Sequence, residues 1–258
     1  ALCGAESRFY PCLSEHEFVP QVSDLEKLVD ENTKAILYNF PSNPTGATIN
    51  VEQRDELLDF ARRHNIWIIT DEVYDRIIYG SEHVSFLGTG YENILLVNSF
   101  SKTFAMTGWR IGYILSTNLE AMQQLIKLQY YVTACSNDAM QYAVLAAFNE
   151  AYDYPAEMTQ EFQARRDLIC ERLNAMPGVS CHVPEGAFYV FPKVDIPGMT
   201  SEEVAMELLK GGVLCSPGTA FGESGEGHLR FAYTIGREDI SRGMDKVEMV
   251  LSKLRDGN

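Results

Sequence analysis

Apolar residues in the first hundred positions come in short unbroken runs, each closed by polar residues. Ala35-Ile36-Leu37-Tyr38 runs into Asn39-Phe40-Pro41-Ser42-Asn43-Pro44-Thr45-Gly46, a dense turn signal; Ile66-Trp67-Ile68-Ile69-Thr70 ends on Asp71-Glu72; Ile94-Leu95-Leu96-Val97 leads to Ser99. Runs of this length bounded by turn residues predict buried strands. Between the first two runs the period changes: from about Asn50 to His64, Leu57, Phe60 and Ala61 share one helical face. Upstream, Ser23-Asp24-Leu25-Glu26 has the capping-box pattern, and Leu25, Leu28 and Val29 follow at helical spacing, which predicts a short helix starting there. Unbroken apolar strands separated by helices predict a mostly parallel sheet covered on both faces. Open α/β sheets take their ligands at the carboxyl ends of the strands. Asn43, Asp71 and Ser99 fall at those ends.

A further apolar run, Ile111 to Leu115, is followed by a mostly helical pattern from Leu119 to about Tyr152. Pro155 suits the first residue of another helix, which should stop before Pro177-Gly178. Then come the turn Pro184-Glu185-Gly186, a strand from Ala187 to Phe191, a helix from Thr200 to Lys210 capped by Thr200 with Glu203, and a strand from Leu229 to Tyr233. The last helix keeps Ile240, Met244, Val247, Leu251 and Leu254 on one face. Strands and helices mixed in this way predict a smaller α+β domain at residues 155–258, after a larger one at residues 1–154.

Composition narrows the function classes. A chain of 258 residues buries a real core. Its formal net charge of −15 disfavours nucleic acid and an anionic membrane face. An anionic ligand would need a locally basic pocket. No apolar run approaches the roughly 20 residues that span a bilayer, and no signal-peptide pattern is visible. Cys3, Cys12, Cys135, Cys170, Cys181 and Cys215 are scattered without C-x-x-C spacing, which reads as free thiols of a reducing compartment and points to the cytoplasm. Ala1-Leu2-Cys3-Gly4 reads as a start partway through a domain.

The chemistry concentrates in Ser99-Phe100-Ser101-Lys102-Thr103-Phe104-Ala105-Met106-Thr107-Gly108-Trp109-Arg110-Ile111-Gly112-Tyr113, a polar loop between two apolar runs. Hydroxyls and an arginine suit a phosphate, and a lysine beside them can form a Schiff base with an aldehyde. Phosphate and aldehyde together suggest pyridoxal 5'-phosphate (PLP). Such a cofactor asks four things of its protein. Lys102 is the candidate for the imine and for proton transfer. Asp71 is the candidate partner of the pyridine nitrogen, which a carboxylate keeps protonated, and Tyr74 could hydrogen-bond the phenolic oxygen. Ser99, Ser101 and Arg110 would form the phosphate cup. Arg230, in Gly227-His228-Leu229-Arg230-Phe231, would grip a substrate α-carboxylate.

Read together, Asn43-Pro44-Thr45-Gly46, Asp71-Glu72-Val73-Tyr74, the lysine segment and Leu229-Arg230-Phe231 resemble, in the same order, the fold-type-I, class I/II aminotransferases. Gly186-Ala187-Phe188-Tyr189 is similar to that family's small-domain strand. The resemblance implies an amino-group transfer from an amino acid to a 2-oxo acid through a Lys102 Schiff base. It implies that Asn43 meets both the cofactor phenolate and the substrate carboxylate, that the remaining residues act as above, and that the protein is a homodimer with no metal. The Asn43–Pro44 bond is one that can be cis. In the family the large domain begins well before this chain does, with Ala1 to Gly4 resembling the tail of a later helix. The chain by itself is therefore expected to hold PLP weakly and to be inactive. The same lysine and aspartate would also serve a carbon–sulfur lyase, a cyclopropane-forming synthase, or a non-catalytic aminotransferase-like sensor domain.

Overall fold

In a computed structural model the described residues are 4–257; Cys3, and all of Ala1-Leu2-Cys3-Gly4 but its glycine, lie outside them. The chain divides into two compact units, and the division is not a single cut. One unit holds Val29–Ser42 and Thr48–Thr159; the other holds the residues up to Leu28, Asn43–Ala47 and Gln160–Asn258.

The first helix, α1 (Val22–Leu25), is a single turn with Gln21 as its N-cap and no side-chain cap bond. The capping box expected at Ser23–Glu26 does not form. Its cap residue lies inside the turn, and Glu26 is already the C-cap. A four-residue turn has too few internal bonds to propagate.

In the sheet unit, β1 (Ala35–Asn39), β2 (Trp67–Asp71) and β3 (Ile94–Ser99) are parallel, and β4 (Gly112–Leu115) closes the order β1-β2-β3-β4 antiparallel to β3. Gly112 is needed there: a Cβ would stand 2.7 Å from the Asn98 carbonyl oxygen of the neighbouring strand. The crossover helix α2 (Val51–His64) starts on a capping box in which Asn50 Oδ1 accepts from the Gln53 amide (2.8 Å) and Gln53 Oε1 accepts from the Asn50 amide (2.9 Å). It buries Leu57, Leu58, Phe60 and Ala61. Burial along the strands alternates, with Ile36, Tyr38, Ile68, Ile94 and Leu96 inside while Leu37 is 57 % exposed. Among the described residues the expected cover on the second face is therefore partial: Leu37 is open, while alternate positions of β2 and β3 are half-buried. An apolar run tells that a strand can be buried, not by what.

After β3 comes the short helix α3 (Phe100–Thr103). The helical stretch beyond β4 is two helices, α4 (Leu119–Thr133) and α5 (Asp138–Glu150), interrupted at Ala134, whose φ is +62°. Both leave large apolar side chains outside, among them Ile126, Leu128, Tyr131, Tyr142 and Leu145. Helix α6 (Tyr154–Asn174) then passes from one unit into the other.

The second unit carries two small antiparallel sheets. β5 (Val179–Ser180) pairs with β7 (Lys193–Val194), while β6 (Tyr189–Val190), β9 (Leu229–Ala232) and β8 (Ser216–Pro217) pair in the order β6-β9-β8. The strand expected from Ala187 to Phe191 shrinks to β6 because Ala187 takes φ +57°, outside the extended region. Helix α7 (Ser201–Lys210) has the expected Thr200/Glu203 capping box. Helix α8 (Arg237–Asp256) buries Ile240, Met244, Val247 and Leu251, each worth about 1.5–3 kcal/mol of transfer free energy. Cys12, Cys135, Cys170, Cys181 and Cys215 are free thiols.

Candidate active site

The parallel register sets three polar side chains at one edge of the sheet unit. Asn39 is level with Asp71, and Asp71 with Val97, two residues before Ser99 ends β3. Asn39 Nδ2 donates to the Asp71 carbonyl oxygen at 3.0 Å. The Asp71 carboxylate accepts from the Val73 amide at 3.2 Å. Burial raises its pKa above the ordinary carboxylate range. The Val73 hydrogen bond opposes that shift, the neighbouring Glu72 adds to it, and Lys102 lowers it. Tyr74 is buried on the same turn.

Across from it, Ser99 caps α3, its hydroxyl accepting from the Ser101 amide at 3.1 Å. The Ser101 side chain is buried. Lys102 follows, with Nζ 5.9 Å from the centroid of the Tyr74 ring. Burial pushes the Lys102 ammonium below its ordinary pKa, Arg110 pushes it further down, and Asp71 opposes both. Arg110 has φ +53°, is exposed, and donates from Nη1 to the Thr107 carbonyl at 2.9 Å. Asp71, Tyr74, Lys102 and Arg110 thus share one neighbourhood. Ser99 and Ser101 stand at the base of the same loop.

The other unit has a guanidinium site of its own. Arg230, on β9, donates from Nη1 to Asn43 Oδ1 (2.9 Å) and from Nη2 to Ser216 Oγ (3.1 Å). Its guanidinium carbon lies 4.6 Å from the Tyr189 ring centroid and 4.9 Å from that of Phe221. Its Nε is buried with no hydrogen-bond partner among the described residues. Asn43 precedes a cis proline, as does Phe40. Gly46, at φ +70°, lets the turn touch this unit's own chain: a Cβ there would stand 2.3 Å from the Pro184 Cβ.

A family model described as aminotransferase class I and II matches residues 1–247. The chain belongs to that family. It is 39 % identical over 256 residues to an aspartate aminotransferase of Pyrococcus abyssi, covering 97 % of this chain and 65 % of that protein. With aromatic-amino-acid aminotransferase 2 of Thermococcus litoralis it shares 36 % over 258 residues, 98 % of this chain and 66 % of that one. A crystal structure of an aromatic aminotransferase from Pyrococcus horikoshii superposes with a TM-score of 0.93 at 37 % identity, over 98 % of this chain and 69 % of that one. The chain spans less than two thirds of the length of these two sequence relatives.

Members of this aminotransferase family use PLP, and the residues present fit it. An amine depressed by burial and by a neighbouring cation is a better nucleophile toward an aldehyde than a solvated lysine. A half-buried carboxylate stands close enough to influence that amine. The buried, unpartnered Nε of Arg230 leaves a donor for a further acceptor. Sequence reasoning missed Asn39, Ser216 and Phe221. Of these, Asn39 left a signal, as a polar residue closing an apolar strand one run before Asp71 does the same.

Proposed function

We propose that the protein carrying this chain is a PLP-dependent aminotransferase that moves an amino group from an amino acid to a 2-oxo acid. The reading rests on one observation, the Lys102 amine lying over Tyr74 under the opposed influence of Asp71 and Arg110. Bound PLP supplies an electron sink beside the substrate Cα–H bond. Lys102 would hold the aldehyde and, when free, would be the base that carries the substrate's Cα proton at Nζ. Its lowered pKa keeps that nitrogen unprotonated at a lower pH than in a free lysine. Asp71 holds a proton on the ring nitrogen by its negative charge. Tyr74 and Asn43 are assigned to the phenolic oxygen, and Ser99, Ser101 and Arg110 to the phosphate. Arg230 binds the substrate α-carboxylate through its two-pronged donor edge, and Asn43 takes part there through its bond to Arg230.

The two compact units are read as part of the large PLP-binding domain and a smaller C-terminal domain. A homodimer is favoured by the apolar side chains that α4 and α5 present outward. A cytoplasmic location is favoured by the free thiols. Among the described residues no helix is long and apolar enough to cross a membrane.

The test is a half-reaction on the full-length protein. Loaded with PLP and given a single amino acid, with aspartate and aromatic donors tried first, it should convert its cofactor to pyridoxamine phosphate and release the 2-oxo acid. Release of ammonia with the cofactor unchanged would overturn the reading in favour of elimination.

A further inference from the structure

One residue beyond Asp71 stands a carboxylate that amino transfer does not employ. The Glu72 side chain is 3 % exposed. Its Oε1 accepts from Thr70 Oγ1 at 3.0 Å, Ser85 Oγ at 3.0 Å and the Phe86 amide at 3.3 Å, and its Oε2 lies 2.6 Å from His83 Nε2. Three of these partners come from residues 83–86, a segment outside any helix or strand. Ser85 Oγ in turn accepts from the Leu87 amide at 3.1 Å. The Glu72 backbone is tied as well, its N–H donating to the Val97 carbonyl of β3 and its carbonyl accepting from the Asp75 amide, both at 3.0 Å.

Simple space-filling does not account for this cluster. Burying a carboxylate is costly unless nearly every lone pair is met, and an apolar side chain of similar volume is often as good for stability. What a fully met carboxylate adds is direction, because each partner constrains where residue 72 sits. Asp71 precedes it and Tyr74 follows two residues later on the same turn, where Ile77 N–H closes onto the Tyr74 carbonyl at 2.8 Å. A ring nitrogen and a phenolic oxygen are met productively only within about 0.5 Å and 10–20°, and supporting hydrogen bonds set that tolerance.

Resting on the reading that Asp71 and Tyr74 serve the PLP ring, we propose that Glu72, clamped by Thr70, His83, Ser85 and the Phe86 amide, is the positioning residue that orients the Asp71–Tyr74 turn for the cofactor's pyridine ring.

The experiment uses the full-length protein with PLP as the probe. It compares Glu72→Ala, Glu72→Gln and Ser85→Ala by PLP dissociation constant, by visible circular dichroism per bound cofactor, and by thermal unfolding of the apoprotein. Glu72→Ala should weaken PLP binding by about 10- to 100-fold, the range known for removing a hydrogen-bond partner of a metal ligand, and reduce the visible dichroism. Glu72→Gln keeps the volume and an acceptor oxygen, so it should recover binding to within about 3-fold of wild type; Ser85→Ala should fall between the two. If Glu72→Ala does not fold, Ser85→Ala decides alone. Weakened binding with altered dichroism supports the proposal. Folded variants with wild-type affinity and dichroism, whether or not their unfolding temperature drops, overturn it. A wild-type protein that takes up no PLP on Lys102 overturns the functional reading itself, and shows it before any substitution is made.

Discussion

At the end of β2 the polar residues are held from within the chain. Glu72 is buried among four partners, Asp71 accepts from Val73 and is met through its carbonyl by Asn39, and Tyr74 is enclosed. At the end of β3 the framing is thinner: a hydroxyl cap from Ser99, then Lys102 partly covered and Arg110 exposed in the left-handed region. The chemistry assigned to each end explains the contrast. On the proposed assignment, a ring nitrogen and a phenolic oxygen demand a direction, and partners held from within the chain would supply it. On the same assignment, a phosphate presents oxygens over a wide solid angle, so an exposed arginine and two hydroxyls would need less fixing to meet it.

Substitutions at the two ends test that contrast. The largest effect belongs to the β3 end. Lys102→Ala in the full-length protein should remove the visible band that borohydride abolishes in wild type and lower amino transfer by ~10⁴-fold, read by steady-state rates. At the β2 end, Asp71→Asn should leave the cofactor attachable to Lys102 but slow the transfer by about 10²-fold or more, since the ring proton loses its counter-charge. Near-normal turnover in that variant would break the assignment.

Arg110→Gln separates charge from phosphate binding when pyridoxal, which lacks the phosphate, is the probe. Arg110 lowers the Lys102 pKa, so its removal raises that pKa and leaves less free amine at neutral pH. Pyridoxal capture, measured by borohydride trapping, should slow at neutral pH and recover as pH is raised. An unchanged rate at neutral pH would show that burial alone sets the amine.

The smallest effect compares the same change at the two ends. By urea unfolding of the apoprotein, Ser85→Ala should cost about 1–3 kcal/mol, because it strips a donor from a buried carboxylate. Ser99→Ala should cost about 1 kcal/mol, the usual value of an N-cap. Equal costs would erase the difference between the ends.

Much of this was legible in the sequence. The three parallel strands, α2, the Thr200/Glu203 cap and the apolar face of α8 followed from period and punctuation, because local sterics and one-sided burial write themselves into spacing. Asp71, Tyr74 and Lys102 stand out as candidates because a strand end and a polar loop between apolar runs mark them, and the structure brings them into one neighbourhood. Other features were not legible. The Ser23 box failed because a cap needs a helix long enough to keep. The turn around Ala134 hides in a helical pattern because a single positive φ leaves no periodic trace. Asn43–Ala47 group with the C-terminal unit although the chain order places them beside β1.

Lys102, Asp71 and Arg230 could be named from sequence because each departs from its surroundings: a cation among hydroxyls, a carboxylate closing an apolar strand, an arginine inside one. Glu72 could be seen as the neighbour of Asp71, but its partners at 83–86 could not, since a loop's approach to a strand end leaves no period to read. The same holds for Arg230 against Asn43, Ser216, Tyr189 and Phe221. Residue types and spacing thus determined which groups this chain brings to its chemistry. Tertiary folding decided which of them are held in place, because hydrogen bonds between distant segments depend on where the backbone returns and not on what lies next in the chain.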